Sequence, residues 1–241
     1  MPHANKVFCA LDTPSLDTAL GWANRLKGAV GGMKLGLEFF GAQGPAGIRR
    51  VAETGMPIFL DLKFHDIPNT VAQAVTSVTP LGPLMMTIHA SGGQAMMLAA
   101  AEAARETAAK AGVPRPKLLG VTVLTSLDEG DLHAAGVSGG VEDQVVRLAR
   151  LAQDSGLDGV VCSPREIVSI RRACGPDLIL LVPGIRPAGA ALGDQKRVMT
   201  PREAVDAGAT YLVIGRPITE ASDPRQAALA IADSLDAAIA G

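Results

Sequence analysis

Ile58-Phe59-Leu60-Asp61-Leu62-Lys63-Phe64-His65-Asp66-Ile67-Pro68-Asn69-Thr70 begins as an apolar run and ends in a dense polar cluster. The apolar part is nearly continuous rather than alternating, which is the pattern of a parallel strand buried on both faces. The same arrangement recurs along the chain. Apolar runs occupy 7–11, 33–37, 58–62, 84–88, 118–124, 159–162, 178–182 and 211–214, giving eight candidate strands bounded by Gly, Pro, Asp or Ser. Polar side chains, with one proline among them, fall repeatedly where these runs end: Asp12, Lys34, Asp61 with Lys63, His89, Thr125 with Ser126, Pro183 and Arg216.

The segments between the runs read as helices. Val141, Val145, Leu148 and Ala152 recur at helical spacing, with Glu142, Asp143, Arg147 and Arg150 on other faces. The Ala-rich stretch 94–111 is helical by propensity and is ended by Gly112 and Pro114. Ala228, Ile231, Leu235 and Ala238 form a last stripe, with Ser222 or Asp223 as cap and Pro224 in the first turn. Strand–helix alternation over 241 residues fits a closed (β/α)8 TIM barrel of the α/β class, read as a single domain over 1–241. An open doubly wound sheet is the rival. The barrel is preferred because it gathers eight strand ends into one mouth.

Composition narrows the function. Hydrophobic residues make up 48% and charged residues 19%, too apolar for a disordered chain. A net charge of −2 supplies no field for phosphate backbones, and 3% aromatics supply few stacking platforms, so nucleic-acid binding is not expected. No run approaches the ~18 apolar residues of a membrane span, and the N-terminus lacks the pattern of a signal peptide. Cys9, Cys162 and Cys174 stand at unrelated spacings without a CxxC pair. A reduced, cytoplasmic setting and a small-molecule substrate are the expectation.

In a strand, residues two apart face the same side, so Asp61 and Lys63 are expected to meet at the strand end. Taken alone, the pair reads equally as a rim salt bridge, and Lys34 as a lysine snorkelling at the rim. Together, two lysines among aspartates form an alternating charge row, suited to protonating a developing carbanion. Tyr211-Leu212-Val213-Ile214-Gly215-Arg216 resembles a phosphate-binding strand end, where glycine admits backbone N–H groups and arginine offers a planar donor fork. The stretch from Val182-Pro183-Gly184-Ile185-Arg186-Pro187 to Gly193, Asp194 and Gln195 is long for a connection and reads as a lid. His65 and His89 lack the partners of a divalent-metal site and read as structural or orienting, so no metal is expected. Thr125 and Ser126 either bond a heterocycle edge or cap a turn; Asp12 either bonds a ribose diol or caps.

These motifs, DLKFHDIPNT at 61–70, VFCALD ending at Asp12, Met33-Lys34-Leu35-Gly36, Val123-Leu124-Thr125-Ser126, VPGIRP at 182–187 and IGRPI at 214–218, occur in order along the chain. Together they resemble the orotidine 5'-phosphate decarboxylase family. The continuation of DxKxxD into IPNT separates this pattern from related barrels. The resemblance implies cofactor-free decarboxylation of orotidine 5'-monophosphate (OMP) to UMP in pyrimidine synthesis. It implies Lys63 as proton donor to C6, Asp61 beside the departing carboxylate, and Lys34 and Asp12 on the ribose hydroxyls, with Lys34 completing the charged catalytic network. It further implies a homodimer in which Asp66 and Thr70 serve the neighbouring site. Thr125 or Ser126 would face the pyrimidine, and Arg186, Gln195, Gly215 and Arg216 would grip the phosphate. Two alternatives stand beside it: a catalytically silent nucleotide-binding protein on the same scaffold, and a Mg-dependent sugar-phosphate decarboxylase or aldolase. A ribulose-phosphate epimerase would need histidines where Lys34 and Lys63 stand.

Overall fold

The computed structural model describes residues 3–187 and 199–235. Eight parallel strands close into a barrel in sequence order: β1 (Val7–Leu11), β2 (Gly32–Gly36), β3 (Ile58–Phe64), β4 (Met85–His89), β5 (Lys117–Val121), β6 (Gly159–Val161), β7 (Ile179–Val182) and β8 (Tyr211–Ile214), with β8 pairing back onto β1. The open-sheet rival is therefore excluded. Closure leaves none of these eight strands at a sheet edge.

The helices are α1 (Leu16–Leu26), α2 (Leu37–Ala52), α3 (Pro68–Val78), α4 (Gln94–Ala111), α5 (Glu129–Ala134), α6 (Val141–Asp154), α7 (Ile167–Cys174), α8 (Pro201–Asp206), α9 (Arg216–Thr219) and α10 (Pro224–Ser234). Local chemistry sets their ends. The Ser15 hydroxyl accepts the Thr18 N–H to start α1, and Asp223 accepts from Arg225 and Gln226 to start α10. Gly112, at φ 65°, stops α4 in the left-handed conformation that glycine tolerates. Within α2, Gly44 at φ 59° is followed by Pro45, so the helix is broken there. The C-terminal stripe is helical through Ser234, and Ala238 lies outside the described residues.

Most strand bounds differ from the apolar runs by one to three residues, and two of these differences bear on the site. Leu37 was expected to close the second strand; it opens α2 instead and is 62% exposed, because Gly36 turns the chain out of the sheet at the helix start. The run 118–124 continues apolar past the point where pairing stops at Val121. Thr125 and Ser126 consequently sit on an exposed turn rather than on a strand end.

Strand periodicity divides the core in two. Val7, Cys9, Leu11, Met33, Leu35, Leu60, Leu180 and Leu212 face outward and join the large cluster beneath the helices. The alternate residues Phe8, Ala10, Phe59, Met85, Leu119, Leu181 and Val213 form a second cluster that plugs the barrel interior. Phe8 meets Phe59 and Tyr211 edge-on, with ring centroids 6.2 and 5.5 Å apart. Each fully buried side chain of this size contributes roughly 1.5–3 kcal/mol relative to exposure.

On β6 the small residue is a packing requirement. A Cβ on Gly159 would overlap the carbonyl oxygen and Cβ of Ile179 on β7, both fixed by the sheet. Gly159→Ala is expected to cost about 1–3 kcal/mol, the range for overpacking a well-filled interior. A lowered midpoint in urea unfolding would show it, and an unchanged midpoint would contradict the tight β6–β7 contact.

Candidate active site

The charged rim is the next level of the strands that form the plug. Inward-facing positions follow at intervals of two: Ala10 leads to Asp12, Gly32 to Lys34, Phe59 to Asp61 and Met85 to Thr87. The register sets these strands side by side, with Ala10 opposite Lys34, Lys34 opposite Phe59 and Phe59 opposite Met85. The side chains meet at the top. Lys63 Nζ lies 2.8 Å from Asp61 Oδ2, Lys34 Nζ lies 3.7 Å from the same oxygen, and Lys34 Nζ lies 3.5 Å from Asp12 Oδ1. The row therefore alternates in sign from Lys63 through Asp61 and Lys34 to Asp12. It runs from a sheltered end to an open one: the Asp61 and Lys34 side chains are 12% and 14% exposed, while Asp12 is 72% exposed.

Asp61 and Lys63 meet as expected, but not by regular strand geometry. Leu60 pairs with Met86 and Phe64 with Ile88, so residues 61 to 63 of β3 stand opposite Thr87 alone. In this irregularity Lys63 takes φ 51°, and it is the one residue other than glycine at positive φ among the described residues. Thr87, fully buried, accepts the Lys63 backbone N–H at 2.9 Å and donates its hydroxyl to Asp61 Oδ1 at 2.9 Å. Sequence reasoning passed over Thr87. Its only signal was a lone hydroxyl residue inside the apolar run 84–88.

Lys34, Asp61 and Lys63 line a cavity of about 200 Å³ whose other walls include Val121, Val161, Leu181 and Val213. Thr125 and Pro183 also border it. Ser126, beside Thr125 in sequence, is not among the lining residues. A space of this size, apolar with charge along one edge, suits a single planar ring better than a whole nucleotide. Beyond Asp12 a second hollow of about 550 Å³ opens between the start of α1 and α9, bordered by Thr18, Trp22, Arg216 and Glu220. Lys34 borders the first space and Asp12 the second, so their ion pair stands between them.

Other expected residues fall elsewhere. Asp66 and Thr70 are exposed on the β3–α3 connection and the first turn of α3. Asp66 accepts the Ile67 N–H at 2.6 Å and joins no ion pair among the described residues. Arg186 is 9% exposed; its Nη1 donates to the Ile185 carbonyl at 3.0 Å, and its backbone N–H donates to Met199. Gly215 precedes α9, and Arg216 is its exposed first residue. Gln195, with Gly193 and Asp194 of the expected lid, lies outside the described residues.

The His65 and His89 rings lie tilted against each other, with centroids 5.3 Å apart and planes at 38°. Burial, then the neighbouring His65 and Lys63, lowers the His89 pKa. Burial also raises the thiols: Cys9 is pushed up to about 12, and Cys162, which borders the cavity, is raised too. Neither thiol is therefore poised as a nucleophile. The site instead offers ammonium groups beside an apolar slot.

Comparison with known proteins agrees with this geometry. The family model for orotidine 5'-phosphate decarboxylase / HUMPS matches residues 5–231. The orotidine 5'-phosphate decarboxylase of Paramagnetospirillum magneticum is 57% identical over 224 residues, covering 93% of this chain and 95% of that protein. The enzyme of that name from Rhodospirillum rubrum is 55% identical over 232 residues, covering 96% and 94%. Among solved structures, orotidine 5'-phosphate decarboxylase from Lactobacillus acidophilus superposes with a TM-score of 0.84 at 37% identity, covering 96% of this chain and 99% of that one. The barrel, the charged rim and matches of this extent together mean that the chain belongs to the orotidine 5'-phosphate decarboxylase / HUMPS family.

Proposed function

We propose that the chain decarboxylates OMP to UMP in pyrimidine nucleotide synthesis, acting as one catalytic domain over 1–241 with Lys63 as proton donor. The observation that carries this reading is the alternating row from Lys63 to Asp12 along the edge of a ring-sized apolar cavity. The C6–carboxylate bond breaks, CO2 leaves, and the electron pair stays on C6 in the plane of the ring. The Lys63 ammonium gives its proton to that carbon, and solvent later restores it. No conjugated sink is available to the electron pair, so stabilisation is electrostatic. One ammonium about 4 Å away at an effective dielectric near 20 contributes roughly 4 kcal/mol, or about three decades of rate. Preorganised neighbours and binding of the rest of the nucleotide supply the remainder.

In this reading Asp61 orients the Lys63 ammonium beside the departing carboxylate, and Lys34 and Asp12 take the ribose hydroxyls. The cavity lining favours Thr125 over Ser126 as the contact to the pyrimidine, with Pro183 against the ring. Arg216 and Gly215 hold the phosphate at the outer hollow, joined by Arg186 and Gln195 as the family pattern implies. A Mg-dependent reaction is disfavoured by the donor set: Asp61 Oδ1 is engaged by Thr87, and Oδ2 is shared by two ammoniums that a divalent cation would have to displace.

The same reading makes the enzyme a homodimer. Asp66 carries a charge that no partner in its own chain neutralises among the described residues, and the adjacent Ile67 is 66% exposed. A large exposed apolar side chain next to such a carboxylate fits a surface that another subunit covers. Asp66 and Thr70 then complete the neighbour's site. No helix among the described residues is long and apolar enough to cross a membrane, and buried free thiols suit a reducing cytoplasm.

Purified protein should consume OMP, followed by its ultraviolet absorbance, in excess chelator. Lys63→Ala should lower that rate by more than about 10³-fold while leaving the circular dichroism spectrum unchanged; near-normal turnover would remove Lys63 from the chemistry. Arg216→Ala should raise KM for OMP about 10- to 100-fold by deleting a charge-assisted phosphate contact, and unaltered KM and kcat would refute the phosphate role. Mixing Lys63→Ala subunits with Asp66→Asn subunits should restore part of the activity, because a hybrid dimer contains one site with both native residues. No recovery after verified subunit exchange would speak against shared sites.

A further inference from the structure

The reading of Lys63 as proton donor leaves open what holds this lysine in place, and the β3–β4 contact supplies a candidate. Three residues of β3, Asp61 to Lys63, stand opposite the single residue Thr87 of β4. The irregularity takes the Lys63 backbone N–H out of the ladder, where a buried donor must find another acceptor. It also turns Lys63 to φ 51°, a conformation that costs energy for any residue with a Cβ and persists only where surrounding contacts over-determine it. The acceptor is the Thr87 hydroxyl, 2.9 Å away. That hydroxyl has one proton, and it is given to Asp61 Oδ1, also at 2.9 Å.

A closed circuit results: Lys63 backbone to Thr87, Thr87 to Asp61 Oδ1, and Asp61 Oδ2 back to Lys63 Nζ at 2.8 Å. Each member limits the next. With Oδ1 engaged, the carboxylate presents Oδ2 to both Lys63 and Lys34. With its N–H engaged, the Lys63 backbone is held in the left-handed turn that starts its side chain toward the cavity. Thr87 is fully buried and is absent from the cavity lining, so it has no direct path to a ligand.

We propose that Thr87 is a positioning residue of the reaction, fixing the aim of the Lys63 ammonium from both its backbone and its carboxylate partner. The proposal rests on the reading of Lys63 as proton donor. It predicts an effect on the chemical step with little effect on nucleotide binding, and recovery when the hydroxyl is retained without the methyl group.

Thr87→Val removes the hydroxyl while nearly keeping the shape; Thr87→Cys replaces the hydroxyl by a thiol and drops the methyl; Thr87→Ser keeps the hydroxyl and drops the methyl. All three, with Lys63→Ala, should be compared for kcat and KM toward OMP, with folding checked by circular dichroism and thermal melting. Thr87→Val should lose about 10²-fold in kcat, the scale expected for an ångström-sized misplacement of a reacting group, with KM changed less than about threefold. Thr87→Cys, which retains a weak S–H donor, should fall between, and Thr87→Ser should return to within about fivefold of the parent kcat. An unchanged kcat in either folded hydroxyl-lacking variant would overturn the proposal. So would a serine variant as slow as the valine one, a loss confined to KM, or failure of both hydroxyl-lacking variants to fold, which would make Thr87 a residue of the fold. Full activity in Lys63→Ala would instead defeat the underlying proton-donor reading, whereas an inactive Lys63→Ala beside a fully active Thr87→Val defeats the Thr87 proposal alone.

Discussion

Asp61 carries its charge on a side chain only 12% exposed, where a carboxylate is tolerated only if its oxygens are engaged. Three strands meet that demand. β2 sends Lys34, β4 sends Thr87, and β3 itself bends so that Lys63 can return to its own neighbour. The dependence runs both ways. Two ammoniums gathered around one carboxylate oxygen repel each other, and the negative charge of that shared oxygen, 2.8 Å from Lys63 Nζ and 3.7 Å from Lys34 Nζ, offsets the repulsion. An electrostatic demand at one residue thus accounts for the register irregularity, the left-handed lysine and the order of charges along the rim.

The apolar plug below has a part in the same electrostatics. Phe59 and Asp61 are successive inward positions of one strand, as are Met85 and Thr87 of the next. Filling the lower level with Phe8, Phe59 and Leu181 leaves no polar floor, so the charges above act across a weakly polarisable wall where their fields are less screened. The two-residue period that folds the barrel is therefore also what separates its insulating level from its reactive one. The opening toward Asp12 and Arg216 is more solvated, which suits groups that bind an anion rather than those that meet a carbanion.

Much of this was legible in residue order. Runs such as 7–11 and 211–214 coincide with β1 and β8, and the Ala-rich stretch 94–111 coincides with α4, because burial on both faces and helix propensity are local signals. Where the reading failed, the deciding contact was remote. Leu37 and Val123 look like strand residues, but strand ends are set by pairing with a neighbour, and pairing stops at Gly36 and Val121. Asp61 and Lys63 were matched as partners by a period-two argument, although the backbone that joins them breaks that period. Thr87 was invisible because a threonine in an apolar run says nothing about a residue 26 positions earlier in the chain. Arg186 and Asp66 illustrate a further limit: the chain alone displays their packing, while the roles implied for them involve a nucleotide or a second subunit.

The three cysteines, each buried and with its thiol raised by burial, have a consequence beyond the reaction. Cys9 points outward from β1 into the layer under the helices, and Cys162 follows β6 beside the cavity. Alkylating and oxidising reagents attack thiolates they can reach, and at Cys9, fully buried between β1 and the helices, the closed barrel offers them neither access nor ionisation. Modification at Cys9 therefore requires the wall between strands and helices to part, so the rate at which this sulfur is labelled measures how often the barrel breathes.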